Sequence, residues 1–188
     1  MSPRDLQETR VVRVIDGDTL VVEHAFDRAG QRQNGKTNKG AHIRFDGVDA
    51  PEIKHSKRAL DQPGGPAAFE LITKLAPPNA RIWLGVKRGN DRFHRTVADL
   101  WAEQPDGRLV WLQEALLMTG AAWRLTDYDD KNERWRNAHL SQLFNQAFEA
   151  HLALFACRVP MNPHVWRHTP EARLGEIAAA ATRCSETK

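Results

Sequence analysis

At 188 residues and 41% apolar content, the chain has enough hydrophobic material for one buried core plus extensions, and two independent domains would strain that supply. A net charge of +3 and a pI near 9.1 admit an anionic partner without identifying one, while two cysteines, Cys157 and Cys184, exclude a disulfide framework. No run of about 18 apolar residues is present to span a membrane as a helix, and Met1-Ser2-Pro3-Arg4 is followed by no apolar stretch, so a soluble, cytoplasmic monomer is expected unless a leader has been removed.

The first half reads as strands. Val11 to Ile15 and Thr19 to Val22 are β-branched runs on either side of Asp16-Gly17, a dipeptide suited to the positive φ angles of a tight hairpin, which places Asp18 at the hairpin mouth. Residues 27–40 are polar, basic and glycine-containing, as expected of a long exposed loop. A third strand is expected from Ala41 to Val48. A helix over Ala67 to Leu75 follows the breaker cluster Gln62-Pro63-Gly64-Gly65-Pro66, and Pro77-Pro78 ends it. Strands at Ala80 to Val86 and Arg95 to Trp101 flank a turn at 87–92. Helices follow at Leu109 to Thr119 and Lys131 to Phe155, the second packing Trp135, Leu140, Leu143, Phe144, Ala147 and Leu154 into a core. From Val159, three prolines and an Ala-rich stretch from Glu176 to Thr182 mark a partly ordered C-terminal extension (159–188) with one short helix, not a second domain.

Three clusters of charge stand at strand ends: Asp16-Gly17-Asp18-Thr19, Arg44 through Glu52, and Asp91-Arg92-Phe93-His94-Arg95. Strand ends present hard oxygen ligands and guanidinium groups near solvent on a rigid frame. Carboxylates there suit Ca²⁺ or a similar cation, and the planar arginine fork suits phosphate. An Asp-Gly dipeptide alone is most often only a turn; what carries weight is Arg44, Asp49 and Glu52 within nine residues. Arg44 and Asp49 are an odd number of positions apart, so in one uninterrupted strand they face opposite ways. Either the strand ends before Asp49 or Asp46-Gly47 forms a bulge that re-aims the chain; the bulge is the expected solution.

The runs Val14 to Leu20, Ile43 to Glu52, Asp91 to Ala98 and Glu114 to Gly120 resemble, in order and separation, the four signatures of the staphylococcal nuclease family; the resemblance covers roughly residues 8–155, and a nuclease-like domain over 8–158 is expected. It implies an α+β fold, a five-stranded OB-fold β-barrel with three α-helices, and a metal-dependent nuclease that cleaves DNA and/or RNA with little sequence preference and leaves 3′-phosphate ends. By this resemblance Asp18, Asp49 and the carbonyl of Ala50 bind one Ca²⁺, Glu52 activates the attacking water, and Arg44 and Arg95 grip the phosphate. Arg92, Phe93 and Tyr128 are the implied substrate contacts.

The chain departs from the family where a tyrosine is replaced by Phe93, which loses a hydroxyl, and where a glycine is replaced by His94, expected to be a turn residue. The family threonine between Asp49 and Pro51 is Ala50. Thr126 stands where the first of two stacking tyrosines is usual and Tyr128 at the second; Trp123 is a substitute platform or, as is commoner after a helix, core. Cys157, His164, His168 and Cys184 fit no standard zinc spacing. The competing reading is a non-catalytic nuclease-like module that binds nucleic acid or a protein. Such a module has no physical need for three acidic residues at a phosphate site.

Overall fold

In a computed structural model the described residues are 6–26, 32–33, 40–54, 60–156 and 160–185. Strands β1 (Gln7–Asp16), β2 (Thr19–Val22), β5 (Ala41–Phe45), β7 (Arg81–Asn90) and β8 (Thr96–Glu103) form a sheet in the order β5-β2-β1-β7-β8. It closes on itself because β5 also pairs in parallel with β8, at Ile43↔Thr96, Arg44↔Val97 and Phe45↔Ala98. The result is the expected five-stranded barrel of an α+β fold, with β9 (Leu109–Trp111) added beyond β8. Two further pairs stand apart: β3 (Ala25–Phe26), just before the expected loop, with β4 (Arg32–Gln33) inside it, and β6 (Val48–Asp49) with β10 (Trp123–Arg124). Arg28, Lys36 and Lys39 of that loop lie outside the described residues.

The barrel interior follows the period of two. In β5, Ala41, Ile43 and Phe45 are buried in the core, which leaves His42 and Arg44 on the opposite face. Leu20, Ile82, Leu84, Leu100 and Ala102 complete the interior from the other strands.

Three helices cover the barrel, α1 (Gly65–Leu75), α2 (Leu112–Met118) and α3 (Arg134–Glu149), and α4 (Pro163–His168) and α5 (Glu171–Ser185) follow in the extension. The expected helix at 109–119 is thus a strand followed by a shorter helix. The one expected at 131–155 stops at Glu149 and gives way to a 3-10 turn, Ala153–Ala156, with His151 and Ala153 at positive φ. Trp135 is not core: it is 74% exposed and stacks on His139 at 5.1 Å, which continues through Trp111 to Trp101. Its placement on the outer face of α3 follows from Arg136, the next residue, turning inward.

Arg136 anchors a buried charge network. Its Nε lies 2.8 Å from Asp99 Oδ2 and its Nη2 3.0 Å from Asp46 Oδ2; Lys87 Nζ sits 3.0 Å from Asp99 and 2.6 Å from Glu133. Each charge has an opposite partner, the condition for tolerating ions in a low-dielectric interior. Burial raises the Asp46 carboxyl above its ordinary range against the pull of Arg136, and the neighbouring Asp99 adds to the rise. Among the described residues, no helix is long and apolar enough to cross a membrane.

Candidate active site

The hairpin that carries Asp18 has Gly17-Asp18 as its two turn residues, since Asp16 pairs with Thr19. Gly17 is not at positive φ, contrary to the reason for expecting glycine there. Its role is close approach: a Cβ at this position would meet the Cβ atoms of Ala50 and Ala68 at 2.7 Å each. The turn is therefore seated directly on α1 and on the residue after Asp49. Asp18 is buried there, with Oδ2 accepting from the Ala50 N–H at 2.6 Å and Oδ1 from the Thr19 hydroxyl at 3.1 Å.

The parity problem of Arg44 and Asp49 is solved by ending the strand and not by the expected bulge. β5 stops at Phe45, Asp46-Gly47 make a turn with Gly47 at φ 77°, and Val48–Asp49 pair with Trp123–Arg124 outside the barrel sheet. Two arginines hold the turn: Arg124 Nη1 donates to the Gly47 carbonyl at 3.0 Å and Arg136 Nη2 to the Asp46 carbonyl at 3.2 Å. Arg124 is itself fixed by both oxygens of Asp129 at 2.6 Å. The turn brings Asp49 back to Arg44, whose Nη2 donates to Asp49 Oδ1 at 2.7 Å while Nη1 pairs with Asp18 Oδ1. One guanidinium thus bridges two buried carboxylates. Burial lowers the Arg44 pKa from its ordinary value against the opposing pull of Asp49, and the nearby charge of Arg95 adds to the lowering.

Glu52 is held through its backbone. Its N–H donates to Gln62 Oε1 at 3.1 Å and its carbonyl accepts from the Gln62 N–H at 2.8 Å; Gln62, fully buried, also donates from Nε2 to the Met161 carbonyl at 2.8 Å. Gly65 at the start of α1 approaches the Glu52 carbonyl so closely that a Cβ would lie 2.4 Å from it.

Arg95 stands just before β8, beside the seam where that strand meets β5. Asp91 builds its turn: Oδ1 accepts from the Phe93 and Arg95 N–H groups at 2.8 and 3.0 Å, and Oδ2 accepts from Arg95 Nε at 2.9 Å. Partial burial acts to raise the Asp91 pKa, but the hydrogen bonds from Arg95 outweigh it and hold the carboxyl below its ordinary range. His94 occupies the turn at φ 62°, in the left-handed region. Phe93 is 60% exposed, with the Arg92 and Arg95 guanidinium groups 4.7 and 5.2 Å from its ring centre. Tyr128 is exposed under Arg88, 4.4 Å from ring to guanidinium. Trp123 is half-buried and packs in an aromatic cluster, edge-on to Phe155 at 5.3 Å and tilted against Phe144 at 5.9 Å.

Sequence reasoning missed a fourth guanidinium. Arg167 of α4 places Nη2 2.8 Å from Asp49 Oδ2, and its Nη1 lies 3.2 Å from Asp49 Oδ1 and 2.5 Å from Glu52 Oε1. Burial acts to lower its pKa, but the bonds to Asp49 and Glu52 prevail and raise it. No local pattern marks Arg167; the usable signal was its neighbour Trp166, a large apolar residue in a polar segment, which is fully buried and fixes α4 on the body of the protein.

Asp18, Arg44, Asp49, Glu52 and Arg167 therefore form one contiguous constellation, with Arg95 adjoining it. Among the described residues, no three His, Cys, Asp or Glu side chains converge as a ready metal cluster. Two buried, cation-compensated carboxylates do fit a hard divalent ion that completes its shell with a carbonyl and water.

The model of the staphylococcal nuclease homologue family matches residues 42–157, which takes in Arg44, Asp49, Glu52 and Arg95 but neither Asp18 nor Arg167. The chain is 31% identical over 130 residues to a probable staphylococcal-like nuclease of rice, Oryza sativa subsp. japonica, covering 69% of this chain and 33% of that protein. It is 28% identical over 159 residues to an uncharacterized endonuclease of Escherichia coli, covering 85% and 84%. To the thermonuclease of Staphylococcus hyicus it is 35% identical over 102 residues, covering 54% and 52%.

Proposed function

Because the chain belongs to the staphylococcal nuclease homologue family, we propose that it is a metal-dependent nuclease that hydrolyses the phosphodiester bonds of DNA and/or RNA with little sequence preference. The observation that carries this reading is the single guanidinium of Arg44 bridging two buried carboxylates, Asp18 and Asp49, with Glu52 and Arg95 at the same edge of the barrel. Three acids and two arginines brought to one edge of the barrel serve phosphoryl transfer, which needs positioning and charge neutralisation above all.

Asp18, Asp49 and the Ala50 carbonyl would hold the cation, Ca²⁺ by family, and its chemistry is charge neutralisation at the phosphate. Arg44 is counter-ion to both carboxylates; a divalent cation held there would take over that charge and leave the Arg44 fork available to phosphate oxygens. Arg95 binds from the other side on the turn that Asp91 holds rigid. Glu52 takes a proton from the water that attacks phosphorus, the bond from phosphorus to the 5′ oxygen breaks, that oxygen takes up a proton from solvent to leave as a 5′-hydroxyl, and the phosphate stays on the 3′ side. Phe93 and Tyr128, exposed and each beside an arginine, suit contact with a nucleotide. The protein acts as a monomer in this reading. Residues from about 159 belong to the same unit, as the burial of Trp166 and Leu174 supports.

The test is incubation with duplex DNA, single-stranded DNA and RNA, each in Ca²⁺, Mg²⁺ or chelator, followed by fragment sizing and end analysis. Cation-dependent fragments with 3′-phosphates are expected. Retention of nucleic acid with no cleavage under any condition would replace the enzyme with a binding module.

A further inference from the structure

Arg167 comes from the C-terminal extension and yet lies on the carboxylate oxygens of Asp49 and Glu52, at the centre of the candidate site. Trp166, beside it, is buried and supplies the packing that docks α4; Arg167 itself keeps 39% of its side chain exposed and spends its donors on Asp49 and Glu52. Asp49 consequently carries two guanidinium groups, Arg44 at Oδ1 and Arg167 across both oxygens. A divalent ion at Asp49 must share those oxygens, and it meets a full positive charge held a few ångströms away.

Resting on the reading of Asp49 as a cation ligand, we propose that Arg167 is a built-in competitor for that cation, through which the docking of α4 and the loading of the site oppose one another. Opposition between two binding events is reciprocal: whatever factor Arg167 takes from cation affinity, the bound cation takes from the docking of α4. The extension then acts as a regulatory arm of the site and not as a passive tail. Arg44 cannot play this part alone, since it lies on β5 inside the barrel seam and has no element of its own to release.

The experiment is calorimetric titration of Ca²⁺ into the full chain without nucleic acid, for wild type, Arg167→Gln and Arg167→Lys, with hydrogen exchange followed over residues 160–168. Couplings of this kind are typically about 5- to 150-fold. Arg167→Gln is expected to bind Ca²⁺ at least about fivefold more tightly, at the low end of that range. Arg167→Lys, which keeps the charge, should stay within about twofold of wild type, since charge and not the fork is what opposes the cation. Exchange over 160–168 should quicken in wild type as Ca²⁺ is added. Weaker or unchanged binding in Arg167→Gln overturns the proposal and makes Arg167 an orienting residue for the carboxylates. Tightening in Arg167→Lys equal to that in Arg167→Gln also overturns it, and so does absence of Ca²⁺ binding in all three proteins. None of these readouts depends on cleavage, so failure of the nuclease assignment and failure of this inference are separable.

Discussion

Replacing Gly17 by alanine adds one methyl group and is expected to disable the site out of proportion to its size. The new Cβ would lie 2.7 Å from the Cβ atoms of Ala50 and Ala68, where ordinary contact begins at 3.4 Å. Neither neighbour can rotate away, because an alanine Cβ is fixed to its backbone; Ala68 belongs to α1, and Ala50 follows Asp49. The hairpin mouth must therefore back off by a large part of an ångström, carrying Asp18 from the Ala50 N–H that it accepts at 2.6 Å. Overpacking of this kind costs about 1–3 kcal/mol. At roughly 2–4 °C per kcal/mol for a chain of this size, the melting temperature should drop by about 2–12 °C. A displacement near 1 Å at a reacting centre can cost on the order of 10²-fold in rate. Thermal melting and turnover on a short DNA are to be measured for Gly17→Ala and for the double variant Gly17→Ala/Ala68→Gly, which removes one of the two clashes. The double variant should recover part of the lost turnover even though glycine in α1 costs about 1 kcal/mol of stability. Wild-type turnover in the single variant, or no recovery in a folded double variant, would refute the close-approach argument.

Glu52→Gln should lower turnover by at least about 10²-fold, the lower range for a general base, with Ca²⁺ affinity held within a few fold; a loss under tenfold at saturating metal and substrate removes Glu52 from that role. Arg95→Lys keeps the charge but gives up both the fork and the Nε bond to Asp91, so turnover should fall severely with the melting temperature little changed; near-normal activity takes Arg95 out of the site. His94→Gly should raise the melting temperature, because the strain of about 1–2 kcal/mol for an L-residue in the left-handed region exceeds the entropy cost of glycine; a lower melting temperature contradicts this. His42 has its pKa lowered by burial, then by Arg13 and Arg95, so below 6.5 the unfolded chain takes up a proton that the folded chain resists. Its contribution to stability is present above pH 6.5 and is lost as pH falls toward the folded value. Urea midpoints at pH 8 and pH 5.5 should differ less in His42→Gln than in wild type.

The sequence was most legible where one local rule decides the outcome. Alternating Ala41, Ile43 and Phe45 declared a strand, and the spacing of Asp18, Arg44, Asp49, Glu52 and Arg95 carried the family resemblance. It was illegible where distant residues decide. Gly17 looked like a turn glycine because the dipeptide pattern is local, whereas its reason lies in Ala50 and Ala68. Asp49 escaped the parity rule through β10, far along the chain, and the arginines that pin the Asp46-Gly47 turn come from β10 and α3. Trp135 has the composition of a core residue, but the inward turn of Arg136 toward Asp99 sets the face of α3. Arg167 acts at the site across 115 residues of sequence from Glu52, a relation no spacing rule can express.

The parallel seam between β5 and β8 also sets an order of events during folding. Strands β1 and β2 are neighbours in the chain and can pair early, whereas Ile43 must find Thr96, 53 positions later (96 − 43). Arg44 lies within that seam and Arg95 at its edge, so the pair proposed to grip phosphate comes together only at a long-range step, well after the hairpin can form. A chain emerging from the ribosome has no such pair until Ala98 has cleared the exit. In the finished protein, fluctuations that part the seam separate the two arginines before the hairpins melt. Loss of activity on mild warming or in low denaturant should then precede loss of β-sheet signal, with amide exchange at residues 43–45 quickening first.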